Sequence, residues 1–316
     1  MSSIAFLFPG QGAQQVGMGQ DFCAAFPASR RVFDLAEQAA GLPLQRLCFS
    51  GPEEDLARTD VCQVAIFTVS AAILAAMNEV LGAEKLARLQ PAYMAGLSLG
   101  EYTALYAADA VDLAPAIALV RRRGQLMQQA ATAVPSGMVA LIGLDEPKAR
   151  ELCEAAAQGQ TLVCANFNCP GQIVISGQIE ACKRAESLAR DFGASNAVLL
   201  KVAGAFHSDI MQPAAQELGK TLETTVFRQP QTPVISNVDG QPYASPEQVA
   251  PKLLAQLVSP VRWQQSMEFL LAQGVERFYE IGPGRTLAGM MRRIHRKAEV
   301  VSLNSAQAME KLASQL

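Results

Sequence analysis

A serine lies between two glycines where the chain changes from strand-like to helix-like sequence. The apolar residues 91–95 lead into Gly96-x-Ser98-x-Gly100, and residues 101–108 have helical character. The pattern G-x-S-x-G is typical of the nucleophile elbow, a sharp strand-to-helix turn that exposes a serine hydroxyl. The free N–H groups of the following helix would stabilise negative charge beside it. We predict Ser98 to be a catalytic nucleophile; the alternative is a glycine-rich turn with an incidental serine.

Two histidines are candidates for the base, which a serine needs because its hydroxyl is a poor nucleophile at neutral pH. His295 lies among arginines and a lysine, which disfavour a protonated imidazole, and is expected at the surface. His207 lies where a predicted strand ends and a helix begins, and sites in parallel α/β sheets form at the carboxyl ends of strands. We assign His207 as the base by elimination; the alternative is a helix-capping or buried structural histidine. No acidic residue is an obvious third member, because Asp209 is too close to His207 in the sequence to orient its imidazole; a backbone carbonyl could take that role instead.

Composition limits the class of protein. The 316 residues, 50 % of them hydrophobic, suit one large domain with an insertion or two domains. A net charge of −3 gives no reason to expect a nucleic acid or a membrane surface as partner. The seven cysteines include no C-x-x-C pair, which predicts neither a disulfide framework nor a metal site and fits a reducing cytoplasm.

Two segments bear on location. The N-terminus lacks a basic region and runs directly into a strand, so no signal peptide is expected. The longest uncharged run, residues 61–78, includes Gln63, Thr68 and Ser70 and is better explained as a buried helix than as a membrane span. We therefore expect a cytoplasmic protein.

Strand-like and helix-like segments alternate through most of the chain, which predicts an α/β core with a parallel sheet. Strands are expected at residues 4–8, 91–95, 233–237, 277–281 and 300–303, and helices at residues 28–40, 60–81, 101–108, 113–133, 208–221, 246–257, 263–272, 285–296 and 306–316. The first strand ends at a loop with glycines on both sides of Gln11, which favours a binding loop over an ordinary tight turn. Of the three consecutive arginines at residues 121–123, one is expected to turn inward.

Residues 135–202 have a different order of strand-like and helix-like segments. Strands are expected at residues 138–142, 162–168, 172–176 and 197–202, with helices at residues 146–157 and 179–192. The order β-α-β-β-α-β is that of a ferredoxin-like unit. We predict an inserted ferredoxin-like subdomain at residues 135–202, within a larger domain made of residues 1–134 and 203–316.

Six motifs occur in a specific order along nearly the whole chain. They are Phe8-Pro9-Gly10-Gln11-Gly12, Gly96-x-Ser98-x-Gly100-Glu101-Tyr102, Arg123-Gly124-x-x-Met127-Gln128, Asn166-x-Asn168-x-Pro170-Gly171-Gln172, Gly204-Ala205-Phe206-His207-Ser208 and Glu280-Ile281-Gly282-Pro283-Gly284. Together they resemble the malonyl-CoA:acyl carrier protein transacylase family. The resemblance implies an α/β-hydrolase-like large domain with a ferredoxin-like insert and no bound cofactor. It also implies a ping-pong transfer of malonyl from coenzyme A to the phosphopantetheine thiol of acyl carrier protein, in fatty acid synthesis.

The resemblance also implies roles for individual residues. Ser98 matches the nucleophile and His207 the general base. The backbone N–H groups of Gln11 and Leu99 match the oxyanion hole. Arg123 matches the arginine that binds the malonyl carboxylate, a role in which the planar guanidinium binds bidentately as lysine cannot.

The resemblance implies roles for three further positions. Gln63 matches a glutamine lining the pocket, and Phe206 matches a residue that crowds the carbon next to the thioester and favours malonyl over methylmalonyl. A backbone carbonyl at Ser259 is implied to orient the histidine. The chain departs from the family at Leu97, where histidine is usual, and at Ser259, where asparagine or glutamine is common.

Other functions stay open at this point. A serine hydrolase or thioesterase would use the same elbow, and Arg123 does not exclude water as the acceptor. A close variant would serve a polyketide synthase or a malonate decarboxylase. A non-catalytic module that docks carrier proteins would need neither Ser98 nor His207. Acyl carrier proteins are acidic, so the basic C-terminal segment is either their docking site or a solvated surface; it contains Arg285, Arg292, Arg293, Arg296 and Lys297.

Overall fold

The computed structural model describes residues 3–316, which form two β-sheets with helices packed around them. Met1 and Ser2, part of the segment on which no signal peptide is expected, lie outside the described residues. The strands are β1 (Ser3–Phe8), β2 (Tyr93–Gly96), β3 (Ser136–Ile142), β4 (Leu162–Cys169), β5 (Gln172–Gln178), β6 (Asn196–Leu199), β7 (Val234–Ile235), β8 (Val275–Ile281) and β9 (Glu299–Leu303).

Helices cover the sheets. They are α1 (Gln20–Ala25), α2 (Pro27–Ala40), α3 (Leu44–Ser50), α4 (Glu53–Ala57), α5 (Thr59–Arg88), α6 (Leu99–Ala107), α7 (Leu113–Ala133), α8 (Glu146–Ala157), α9 (Ile179–Leu188), α10 (Gln212–Thr224), α11 (Val249–Gln256), α12 (Trp263–Ala272), α13 (Thr286–Ile294) and α14 (Ala306–Gln315). Short 3₁₀ turns at Asp209–Met211 and Pro246–Gln248 precede α10 and α11.

The larger sheet is parallel, with the strand order β7-β2-β1-β8-β9. β1 lies at its centre. Phe6 and Phe8 pack into one apolar cluster, whereas Ala5 and Leu7 pack into another on the opposite face. A strand buried on both faces is apolar throughout, which is why β1 shows no alternation of polar and apolar residues. The predicted parallel α/β core is confirmed.

The apolar run predicted as a buried helix is α5. Its most apolar 18-residue window has a mean hydropathy of 1.9, and 78 % of that window is buried inside the protein. Within residues 3–316, α5 is the one helix long and apolar enough to cross a membrane, and this burial is that of a core helix. The helix kinks at Gly82, whose φ of 63° and ψ of 174° are not helical.

The smaller sheet is antiparallel, with the strand order β4-β5-β3-β6. α8 and α9 pack against it around a separate apolar cluster that includes Leu141, Leu152 and Ile175. This is the predicted β-α-β-β-α-β unit. Two backbone hydrogen bonds join it to the larger domain, Phe167 N to Val261 O at 2.9 Å and Val261 N to Ala165 O at 2.8 Å. The boundaries at residues 135 and 202 stay a prediction.

Several expected elements differ from the structure. α1, α3 and α4 were not expected, because each is too short to show a helical period. The strand expected at residues 197–202 ends at Leu199 and pairs in the antiparallel sheet, so His207 does not follow a strand of the parallel sheet. The chain instead leaves the edge of the small sheet and reaches His207 through an irregular segment, residues 200–208.

Candidate active site

The elbow is built by close approach of backbones. Ser98 has φ 52° and ψ −101°, a strained conformation for a residue with a side chain. A Cβ on Gly96 would lie 1.9 Å from Gly100 O, and a Cβ on Gly100 would lie 2.1 Å from Phe8 O. Only glycine therefore fits at both positions. Asn237, just past β7, stabilises the turn by accepting from Ser98 N at 2.6 Å and donating to Gly96 O at 2.8 Å.

Ser98 and His207 are brought together across the chain. Ser98 Oγ lies 2.8 Å from His207 Nε2, and His207 Nδ1 lies 2.7 Å from the carbonyl oxygen of Gln256. A carbonyl only accepts, so Nδ1 carries the proton and Nε2 is free to accept the serine proton. His207 itself has a φ of 58°, a second strained residue in the site. This is the arrangement of a nucleophile and its general base.

The carbonyl that orients His207 differs from the expected one. The hydrogen bond is to Gln256, the last residue of α11, whose C=O has no acceptor role inside the helix. Ser259, the expected residue, contributes a second backbone carbonyl that also raises the pKa of His207. Gln256 is the main partner, because the carbonyl at the end of α11 has no N–H to accept from within the helix and is free to bind the imidazole.

Burial and the charge of Arg123 lower the pKa of His207 to about 4, although the two backbone carbonyls oppose that change. The imidazole is therefore neutral, and able to accept a proton, from about pH 5 upward. We expect kcat/KM for transfer of an uncharged acyl group such as acetyl to rise near pH 4 and to stay level from pH 6 to 8, because this ratio reports the free enzyme. An inflection near 6.5, the pKa of an unperturbed histidine, would contradict this environment.

Replacing His207 with alanine tests its role directly. General-base catalysis is worth roughly 10²- to 10⁴-fold, and we expect a loss of that size in the rate of acyl transfer. The measurement is the rate of acylation of His207→Ala, with folding checked by circular dichroism. His295, which is exposed, is the matched control. An equal loss in His295→Ala would overturn the assignment.

Arg123 is the arginine that turns inward, and only 1 % of it is exposed. Nη1 donates to Gln63 Oε1 at 2.6 Å, while Nη2 donates to Gln256 Oε1 at 2.9 Å and to Ser98 Oγ at 3.0 Å. The guanidinium also lies 5.1 Å from the ring centroid of Tyr102. A cation held this close to the nucleophile by neutral groups is suited to binding the carboxylate of an acyl group.

The backbone around Ser98 offers donors for an oxyanion. Leu99 is the first residue of α6, and Gln11 lies in the loop after β1. Within residues 3–316, neither N–H donates a hydrogen bond, whereas the neighbouring Gly12 N donates to Gln14 Oε1 at 2.7 Å. Free N–H groups beside a nucleophile are what an oxyanion hole requires.

A cavity of about 200 Å³ opens over Ser98. Its polar lining comes from Gln11, Gln63, Ser98, Arg123, Asn166, Asn168, His207 and Thr286. The remaining wall is largely apolar and comes from both domains, with Leu97, Met127, Met138, Val174, Leu200, Val202, Phe206 and Met290. The predicted site residues therefore share one cavity, apart from Leu99 and Ser259, for which only backbone groups are predicted to take part.

Sequence reasoning missed the polar network behind the nucleophile. Glu101, Asn237, Tyr243 and Gln256 are buried and linked by hydrogen bonds. Glu101 directly follows the elbow and was noted only as part of the motif. Gln256 carries no motif and lies 158 residues from Ser98, the residue whose carbonyl oxygen its side chain contacts.

Comparisons with known proteins agree with the acyltransferase family that the sequence motifs resemble. Residues 5–313 match the model of the acyl transferase domain. This chain belongs to the acyl transferase domain family. The acyltransferase is 39 % identical over 311 residues to the malonyl CoA-acyl carrier protein transacylase of Bacillus subtilis, covering 98 % of this chain and 96 % of that protein.

Two solved structures are similar to this acyltransferase over its full length. The malonyl CoA-acyl carrier protein transacylase from Coxiella burnetii has a TM-score of 0.94 and 37 % identity, covering 100 % of this chain and 98 % of the other. A malonyl-transacylase solved in complex with a type II polyketide synthase acyl carrier protein has a TM-score of 0.94 and 39 % identity, covering 100 % of both chains. The acyltransferase is therefore an enzyme and not a docking module.

Proposed function

We propose that this acyltransferase moves a malonyl group from malonyl-CoA to the phosphopantetheine thiol of an acyl carrier protein. The observation that carries the proposal is the buried Arg123 guanidinium, 3.0 Å from Ser98 Oγ. A hydrolase for neutral acyl groups has no use for a buried cation at that point. The names of the relatives support the same substrate and acceptor.

The first half-reaction makes a malonyl-serine. Ser98 Oγ attacks the thioester carbonyl while its proton passes to His207 Nε2. The N–H groups of Gln11 and Leu99 stabilise the negative oxygen of the tetrahedral intermediate. The C–S bond then breaks, and the coenzyme A thiolate takes the proton from His207. Arg123 holds the malonyl carboxylate and so fixes the direction in which the carbonyl points.

The second half-reaction reverses these steps with a different thiol. The carrier's phosphopantetheine thiol gives its proton to His207, and the sulfur attacks the malonyl-serine carbonyl. Ser98 leaves as the alcohol and recovers the proton. Water must be slower than the thiol, and the largely apolar wall around the cavity supports this by limiting where water is stabilised.

The stability of the covalent intermediate tests this function. We expect intact-mass spectrometry after incubation with malonyl-CoA to show one added malonyl group that persists in buffer. Adding carrier protein with its phosphopantetheine should discharge the adduct within the mixing time, and carrier lacking that group should not. Rapid discharge in buffer alone would favour the alternative, a thioesterase.

The basic segment is proposed as the docking surface for the carrier. α13 contributes Thr286 and Met290 to the cavity, and its last turn carries Arg292 and Arg293 at the surface. A carrier bound there would have its phosphopantetheine arm next to the cavity mouth. Acidic partners are attracted to such a surface, mainly through faster association.

Charge reversal tests this surface. We expect Arg292→Glu to raise KM for the carrier protein several-fold and to leave KM for malonyl-CoA unchanged. Arg292 suits this test because, unlike Arg293, whose Nη2 donates to Pro170 O at 3.1 Å, it makes no side-chain hydrogen bond within residues 3–316. Arg46→Glu, at an exposed position of α3, is the matched control, because Arg46 likewise makes no side-chain hydrogen bond or ion pair among the described residues. If Arg292→Glu leaves KM unchanged for both substrates, this surface is not the docking site of the carrier.

The pathway and location are part of the same proposal. Service to fatty acid synthesis is proposed, with a polyketide synthase or a malonate decarboxylase as the alternative, since one structural relative was solved with a polyketide carrier. We also propose that the enzyme works in the cytoplasm. We propose that it needs no bound cofactor, because both half-reactions use only the side chains and backbone groups named above.

A further inference from the structure

The buried guanidinium of Arg123 has no carboxylate of its own among residues 3–316. Its hydrogen bonds go to the neutral groups of Gln63, Ser98 and Gln256, and its Nε has no partner. A buried cation without a counter-charge is costly, so a nearby anion is needed before any substrate arrives. The nearest carboxylate along these hydrogen bonds is that of Glu101, fully buried in the first turn of α6.

One amide joins the two charges. Gln256 Oε1 accepts from Arg123 Nη2 at 2.9 Å, and Gln256 Nε2 donates to Glu101 Oε2 at 2.6 Å. Glu101 also accepts from Asn237 N at 3.1 Å and from the Tyr243 hydroxyl. These donors favour the ionised carboxylate, and whenever Glu101 is ionised the free enzyme holds an indirect ion pair through the Gln256 side chain.

We propose that Glu101 is the counter-charge of Arg123 in the free enzyme, and that its negative charge limits how tightly the site binds a carboxylate-bearing acyl group. The inference rests on the proposed function, in which Arg123 receives the malonyl carboxylate. Glu101 touches no reacting atom and is a positioning residue that tunes specificity. When malonyl binds, two carboxylates share one guanidinium, and their mutual repulsion weakens binding.

The protonation of Glu101 controls this competition. Burial raises the pKa of Glu101 to about 7, while the hydrogen bonds from Tyr243, Gln256 and Asn237 and the charge of Arg123 oppose that rise. The carboxyl is therefore largely neutral at pH 6 and largely ionised at pH 8.5. Neutral Glu101 no longer repels the malonyl carboxylate, so malonyl affinity should increase as the pH falls through this range.

The other ionisable groups around the network titrate elsewhere or are paired. His207 is bound to the Gln256 carbonyl, and Tyr102 and Cys62 lie next to Arg123. Tyr243 is bound to Glu101. Lys252 lies over the Tyr243 ring and pairs with Asp239 at 2.8 Å. Burial and Arg123 lower the pKa of His207 to about 4, and burial raises the pKa values of Tyr102 and Cys62 to about 12. Burial also raises the pKa of Tyr243 well above its usual value.

Binding measured without turnover tests the proposal. The protein is the full chain with Ser98→Ala, and the ligands are the malonyl and acetyl thioesters of N-acetylcysteamine, which carry no phosphate that would titrate. Dissociation constants are measured by calorimetry at pH 6.0 and 8.5. Glu101→Gln removes the charge and keeps the shape. At pH 8.5 we expect it to bind the malonyl thioester about tenfold more tightly, as one charge pair at an intermediate dielectric allows.

The pattern across variants separates this role from a structural one. Glu101→Gln should bind the acetyl thioester as before and should lose the pH dependence of malonyl binding. Tyr243→Phe removes a hydrogen bond that lowers the pKa of Glu101, so the midpoint of the pH dependence should move upward. Glu280→Gln changes the other fully buried carboxylate, which caps α13 at Leu287 N and Ala288 N, and should alter neither property.

Two results would overturn the inference. One is weaker or unchanged malonyl binding at pH 8.5 in Glu101→Gln. The other is an unmoved midpoint in Tyr243→Phe. Failure of the proposed function is distinguishable, because Arg123→Ala would then keep the preference for the malonyl over the acetyl thioester. If Arg123→Ala loses that preference and either of the two overturning results is found, the inference alone is wrong.

Discussion

Replacing Ser98 with alanine is expected to give a protein that carries no malonyl group after incubation with malonyl-CoA. The strained elbow presents a single hydroxyl to His207 Nε2, at 2.8 Å, and nothing replaces it in the variant. Acyl transfer should fall to the background rate, since loss of the nucleophile removes the covalent route. Intact-mass spectrometry of the two proteins side by side is the measurement.

The control for that experiment is Ser187→Ala. Ser187 lies exposed on α9, in the small domain, and its hydroxyl donates to Lys183 O at 3.0 Å. It should be malonylated as fully as the unchanged protein. A malonyl adduct on Ser98→Ala, at any residue, would show that Ser98 is not the nucleophile.

Arg123→Ala is expected to lower malonyl transfer by about 2–5 kcal/mol in transition-state stabilisation, the loss typical of breaking a desolvated charge pair. Transfer of acetyl should change much less, because acetyl has no carboxylate to bind. The difference between the rates of malonyl and acetyl transfer should therefore narrow, since neither acyl group then meets a cation. The measurement is competitive acylation with labelled malonyl-CoA and acetyl-CoA.

Two further variants define the source of that selectivity. Arg123→Lys keeps the charge but not the planar pair of donors, and should recover only part of the malonyl rate. Phe206→Ser enlarges the cavity next to the base and leaves the guanidinium in place, so it should relax discrimination against methylmalonyl and keep the preference over acetyl. If Arg123→Ala still prefers malonyl to acetyl as strongly as before, the carboxylate is bound elsewhere.

The elbow can be recognised from the sequence because its determinants are local. Gly96 and Gly100 are required by contacts among residues within a few positions of Ser98 and by the adjacent end of β1. The strand and helix on either side have the composition that such elements need. A short pattern therefore contains almost all the physical information that specifies the turn.

His207 lies next to Ser98, as the sequence predicts, but not for the structural reason that the prediction used. The chain has two histidines, so elimination placed His207 next to Ser98, and the structure brings them to 2.8 Å. The expected strand end is not there, since β6 stops at Leu199 in the antiparallel sheet. An irregular segment with a strained residue has no period or composition that a sequence pattern can reveal.

The sequence by itself determined the α/β core, the β-α-β-β-α-β unit and the side chains that we propose face the acyl group, because these depend on hydrophobic period and on short motifs. Only the tertiary structure decided which groups support them. Gln256 reaches Ser98, Glu101, Arg123 and His207 at once from the end of α11. Hydrogen bonds between residues far apart in the chain depend on how the helices pack, and no local pattern records that packing.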